Sequence, residues 1–110
     1  MKLSYSELSI NRGLVKLSGP LMGDLAANLA EELSRLSKQG VKQVILDLAE
    51  VPLIDSRGLS ALVAGYKLFG QKALHFRLVG LNDQARLLFD LTGFSRIFQT
   101  FEHAAEAVEE

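Results

Sequence analysis

Val44-Ile45-Leu46-Asp47-Leu48-Ala49-Glu50-Val51-Pro52-Leu53-Ile54-Asp55-Ser56-Arg57-Gly58-Leu59 is the stretch whose reading decides the fold. Its first part, from Gln43 to Leu48, is a short β-branched run bounded by polar residues, which predicts a buried strand. Its last part opens a helix. Asp55 or Ser56 can accept a hydrogen bond from the free N–H groups of a first helical turn. Beyond them Leu59, Leu62, Val63, Tyr66 and Phe69 recur at i, i+3, i+4, i+7 and i+10, the spacing of one helix face, and Gly70 suits the C-cap. Leu53 and Ile54 are apolar, yet they stand in the loop just before the cap, where at least partial exposure is expected. Gly58 removes a side chain where something approaches the helix start.

Working outward, residues 2–10 read as a strand whose alternation breaks at Glu7, the mark of a bulge. Asn11-Arg12-Gly13 supplies a turn and Leu14-Val15-Lys16-Leu17 returns as a second strand, so a hairpin opens the chain and Gly19-Pro20 ends it. Asp24 is the expected N-cap of a helix carrying Leu25, Leu29, Leu33 and Leu36, which Gly40 closes. On the C-terminal side His75 to Val79 alternates as a strand. Asn82 or Asp83 caps a helix through Leu91, Gly93 stops it, Ile97 to Phe101 is a last strand and Glu102 to Glu110 a terminal helix. The order ββαβαβαβα makes the hairpin antiparallel and the strands joined through helices parallel. The expected fold is therefore one α/β domain over residues 1–110, a mixed, mostly parallel β-sheet packed by about four α-helices.

Composition removes several classes of function. A chain of 110 residues with 48% hydrophobic and 23% charged residues has the profile of one folded domain with one core. Twelve Lys and Arg against thirteen Asp and Glu leave no basic excess for neutralising phosphates, so no nucleic-acid partner is expected. Glu102, Glu106, Glu109 and Glu110 make the end of the chain acidic, as a solvated terminal helix would be. Without cysteine there is no disulfide, thiol catalysis or thiolate metal site, and His75 and His103 have no second ligand beside them, so no metal is expected. No run approaches 18 apolar residues, and Met1 leads into a strand rather than a signal peptide, so the expectation is a cytoplasmic protein without membrane insertion. Neither a Gly-x-Ser-x-Gly elbow nor a P-loop occurs, and the two histidines offer no Ser-His-Asp arrangement. No catalytic residue, cofactor or enzyme activity is expected. Asp47, Pro52, Asp55 and Gly58 suggest an aspartyl phosphoacceptor loop, but Ile10-Asn11-Arg12 lacks the acidic pair that would bind Mg²⁺.

Val-Ile-Leu-Asp-Leu at 44–48, followed by Ile54-Asp55-Ser56-x-Gly58-Leu59, resembles the STAS domain of bacterial anti-sigma factor antagonists. Leu17-Ser18-Gly19, Gly65-Tyr66-Lys67 and Arg86-Leu87-Leu88-Phe89-Asp90-Leu91-Thr92-Gly93-Phe94 extend the resemblance over nearly the whole chain. The resemblance implies a non-enzymatic switch. Its unphosphorylated form binds an anti-sigma factor that is also a serine kinase of the GHKL type. That kinase phosphorylates the serine after the motif aspartate, and a PP2C-type phosphatase reverses it. By position the acceptor is Ser56, with Asp55, Arg57 and Gly58 as its surroundings. Arg57 replaces the Ser or Thr usual after the acceptor, and Met22 stands where an aspartate is common; both would suit a different partner surface. The docking surface expected from helix phase and the loop comprises Met22, Leu53, Ile54, Arg57, Ser60, Ala61, Ala64 and Leu68. The rival inside the same fold is a scaffold or transporter-associated STAS subunit that is never phosphorylated.

Overall fold

A computed structural model describes residues 2–70 and 75–103. The hairpin consists of β1 (Leu3–Ser9) and β2 (Arg12–Ser18), turned by Asn11 at φ 64°. Their register slips between Glu7 and Ser9, so the bulge falls where the alternation breaks. Then follow α1 (Gly23–Lys38), β3 (Gln43–Glu50), α2 (Ser56–Phe69), β4 (Phe76–Val79), α3 (Asp83–Thr92), a 3₁₀ turn over Phe94–Arg96 and β5 (Gln99–Phe101). The five strands lie in the order β1-β2-β3-β4-β5, the first pair antiparallel and the rest parallel. Three α-helices are present among the described residues; of the fourth expected helix, Glu102 to Glu110, only Glu102 and His103 are described, and they are not helical, while residues 104–110 lie outside the described residues.

Alternation along the strands assigns the two faces of the sheet. Val15 and Leu17 of β2, Val44, Leu46 and Leu48 of β3, and Phe76 and Leu78 of β4 share one core with Leu25, Leu29, Leu33 and Leu36 of α1, Leu62 and Phe69 of α2, and Ala85 and Phe89 of α3. The helices thus cover this face. α3 is seated through aromatic contacts, Phe89 to Phe98 at 5.5 Å and Phe98 to Phe94 and Tyr66 at 5.8 and 5.7 Å between ring centroids. The intervening residues Ile45 and Val79, with Leu14 and Phe101 against them, form a smaller cluster on the reverse face.

Two helix details differ from the sequence reading. α1 starts one residue before Asp24. Met22 is its extended cap residue, and its carbonyl accepts from the N–H groups of Leu25 and Ala26 at 3.1 and 3.3 Å, with no side-chain cap. Asp24 sits instead in the first turn, where a carboxylate still favours the helix dipole. In α2 the buried positions are Gly58, Ala61, Leu62, Gly65 and Phe69, while Leu59, Val63 and Tyr66 are only half-buried. The small residues lie inward because α2 packs close: a Cβ on Gly65 would come within 2.8 Å of Leu33 Cδ1 and 2.9 Å of Phe76 Cε1.

Candidate functional site

β3 and α2 are joined by a five-residue loop, Val51 to Asp55, wedged between two other segments. On one side lies Leu21, in the connection between β2 and α1. Its N–H donates to the Leu53 carbonyl at 2.8 Å, and its own carbonyl accepts from the Asp55 N–H at 3.5 Å, giving a single parallel bridge between Leu21 and Ile54. On the other side lies the start of α3. There Asn82 Nδ2 donates to the Pro52 carbonyl at 2.9 Å, and the Gln84 side chain faces the Ile54 peptide.

The choice between Asp55 and Ser56 as cap is resolved by geometry. Asp55 is extended, and its Oδ1 accepts from the Gly58 N–H at 2.9 Å, so Asp55 is the N-cap and Ser56 the first helical residue. The Ser56 side chain is exposed, and no hydrogen bond engages its hydroxyl among the described residues. The Ser56 and Arg57 amides have no acceptor within the helix, as at any helix start. Gly58 sits where the chain needs no side chain, because a Cβ there would strike the Leu21 carbonyl oxygen and lie 2.9 Å from Ile54 Cγ2.

Beside this turn runs a groove of about 400 Å³, lined by Pro20, Met22 and Leu25 with Lys2, Asp24, Asp55 and Arg57. Met22 is 37% exposed, and Leu53 and Leu68 are 42% and 43% exposed. Ser60 and Arg57 are exposed and Ala64 is half-buried.

Two residues expected on the docking surface are not there. Ile54 retains only 3% of its accessible surface and Ala61 only 4%; both belong to the core. Ile54 turns inward because the loop continues a strand-like alternation in which Leu53 takes the outward position. Ala61 lies in the close contact between α2 and its own fold, so its small side chain serves internal packing. Leu21, Asn82 and Gln84, which hold the loop, were not legible as site residues. Asn82 could be read as a cap, and it is one, accepting from the Ala85 N–H at 2.9 Å, but its bond to a carbonyl thirty residues away leaves no local trace.

The sequence pattern of the STAS domain matches residues 5–107, and the chain belongs to that family. Its curated relatives include anti-sigma factor antagonists. The Anti-sigma-B factor antagonist of Staphylococcus epidermidis is 30% identical over 80% of this chain and 82% of its own length. The Anti-sigma F factor antagonist of Paenibacillus polymyxa is 26% identical over 94% of this chain and 92% of its own. Among solved structures, a candidate anti-sigma factor antagonist from Thermotoga maritima superposes with a TM-score of 0.87 at 22% identity, covering 97% of this chain and 92% of that one. The Bacillus protein SpoIIAA, in its unphosphorylated form, gives a TM-score of 0.82 at 16% identity, covering 97% and 93%. At those identities the structures attest the shared fold. Among the described residues no helix is long and apolar enough to cross a membrane.

Proposed function

We propose that this chain is a non-enzymatic anti-sigma factor antagonist. With Ser56 unmodified it binds an anti-sigma factor that is also a GHKL-type serine kinase; phosphorylation of Ser56 releases it, and a PP2C-type phosphatase resets it. The observation that carries the reading is the division of labour at the start of α2. Asp55 does the capping, and the neighbouring Ser56 hydroxyl is left exposed on the first helical residue.

A phosphate there suits this chain and repels a docked one. It would bring about −1.5 to −2 charges at neutral pH. The helix dipole favours negative charge at this end by about 0.3–1 kcal/mol, and Arg57 adjoins it. The fold should therefore tolerate the modification. A partner seated on Leu53, Met22 and the first turns of α2 would have to desolvate the dianion, and each 1.4 kcal/mol of that cost weakens binding about tenfold.

The test is incubation of the chain with a GHKL-type kinase from its own genome and ATP, read by intact mass. One phosphate per chain, absent from Ser56→Ala, supports the switch. No phosphate, or an undiminished phosphate on Ser56→Ala, defeats it. An acid-labile phosphate would point instead to a carboxylate acceptor.

A further inference from the structure

We infer that Gln84 and Asn82, at the N-terminal end of α3, are positioning residues of the Ser56 site: their side-chain amides replace a missing neighbouring strand and hold the loop that presents Leu53 and starts α2. The inference deepens the reading of Ser56 as a phosphoacceptor and rests on it.

From Val51 onward the loop has, among the described residues, backbone pairing on one side only, through Leu21. On the other side Gln84 supplies what a strand would. Its Oε1 accepts from the Ile54 N–H at 3.3 Å, and its Nε2 donates to the Ile54 carbonyl at 3.4 Å. A carboxamide carries one donor and one acceptor face, as a peptide does, so it answers both groups of the same residue. Neither a carboxylate nor an ammonium could, because each would leave one Ile54 group opposed by its like. Asn82 completes the clasp. Its Oδ1 caps α3 at Ala85, while its Nδ2 donates to the Pro52 carbonyl at 2.9 Å and lies 3.5 Å from the Val51 carbonyl. The loop is thereby tied to the start of α3 at Val51, Pro52 and Ile54, without any regular strand between them.

The geometry sets two functional features together. Fixing the Ile54 peptide sends the Ile54 side chain into the core and, by alternation, Leu53 outward. It also fixes where the chain enters Asp55, and so the angle at which the Ser56 hydroxyl is offered. A loop released from the clasp keeps Ile54 anchored by burial but spreads Leu53 and Ser56 over several orientations, which a kinase must then sort before reaction.

Two variants separate positioning from stability. Gln84→Met keeps the length and removes both hydrogen bonds; Asn82→Asp keeps the α3 cap and removes the donor. Thr92→Val, at the far end of α3, serves as the control. Amide hydrogen exchange followed by NMR reads the clasp without reference to function. In Gln84→Met the Ile54 and Leu21 amides should exchange roughly threefold to tenfold faster, the range expected for losing hydrogen bonds of ordinary net strength, while the Leu46 amide in β3 is unchanged. The GHKL-type kinase with ATP then reads the site: kcat/KM for Ser56 should fall by a similar factor in both variants and stay at the wild-type value in Thr92→Val. Unchanged Ile54 exchange overturns the clasp. Faster Ile54 exchange with unaltered kcat/KM overturns the positioning role. A wild-type chain that takes no phosphate overturns the switch reading and with it the positioning role, whereas the exchange arm still decides whether the clasp exists.

Discussion

Replacing Gly58 by Ala sets two effects of opposite sign against each other, and the structure says which wins. On an open helix surface the change would stabilise the chain by up to about 1 kcal/mol, since glycine is the poorer helix former. Here the added Cβ would strike the Leu21 carbonyl oxygen and stand 2.9 Å from Ile54 Cγ2 and 3.0 Å from Leu21 Cγ. The first of these is backbone and cannot rotate away. Relief requires the start of α2 to move off the connection between β2 and α1, stretching the bond between Asp55 and Leu21. Overpacking costs about 1–3 kcal/mol, and a clash with backbone belongs in the upper part of that range, about 2–3 kcal/mol. After a helix-propensity gain of up to about 1 kcal/mol, the net change should be a loss of about 1–2 kcal/mol. In a domain of this size that is a drop in Tm of roughly 4–10 °C. Urea unfolding followed by circular dichroism measures it directly. A Gly58→Ala chain as stable as the wild type, or more stable, would refute the claim that α2 begins in contact with Leu21.

Asp55→Ala should cost about 0.5–2 kcal/mol through loss of the cap to Gly58, and Asp55→Asn should recover most of it, as measured by the same unfolding curves. Ile54→Ala and Leu53→Ala should part company despite their adjacency. The buried Ile54 should cost about 2–5 kcal/mol, and the exposed Leu53 no more than about 0.5 kcal/mol, yet only Leu53→Ala should weaken capture of the anti-sigma kinase by a chain that remains folded. Ser60→Arg, on the exposed face of α2, should reduce that capture in a binding titration while leaving Tm nearly unchanged; normal binding would remove this face of the helix from the docking surface.

Much of the fold was legible because local pattern and tertiary demand agreed. The broken alternation at Glu7 gave the bulge, the β-branched run 43–48 gave the central strand, and the Leu spacing of α1 gave its buried face. The errors came where packing overrode pattern. A face chosen by large apolar residues placed Leu59, Val63 and Tyr66 innermost, whereas the buried positions include Gly58, Ala61 and Gly65, and at the two glycines the neighbouring segments leave no room for a Cβ. Which of Leu53 and Ile54 turns inward could not be read from two adjacent apolar residues; the bridge to Leu21 decides it. Asp24 matched a cap in type but not in position, because the Met22 carbonyl opens the helix without any side-chain help. At the site itself the motif pointed to Asp55 and Ser56, and only the coordinates of the first turn divided capping from exposure between them.

The most direct measurement is a calorimetric titration of the anti-sigma kinase into two preparations of this chain, one unmodified and one carrying phosphate on Ser56, both shown by thermal unfolding to be folded. The account predicts tight binding to the first and at least roughly tenfold weaker binding to the second, equivalent to about 1.4 kcal/mol or more. Equal affinity for the two preparations would contradict it.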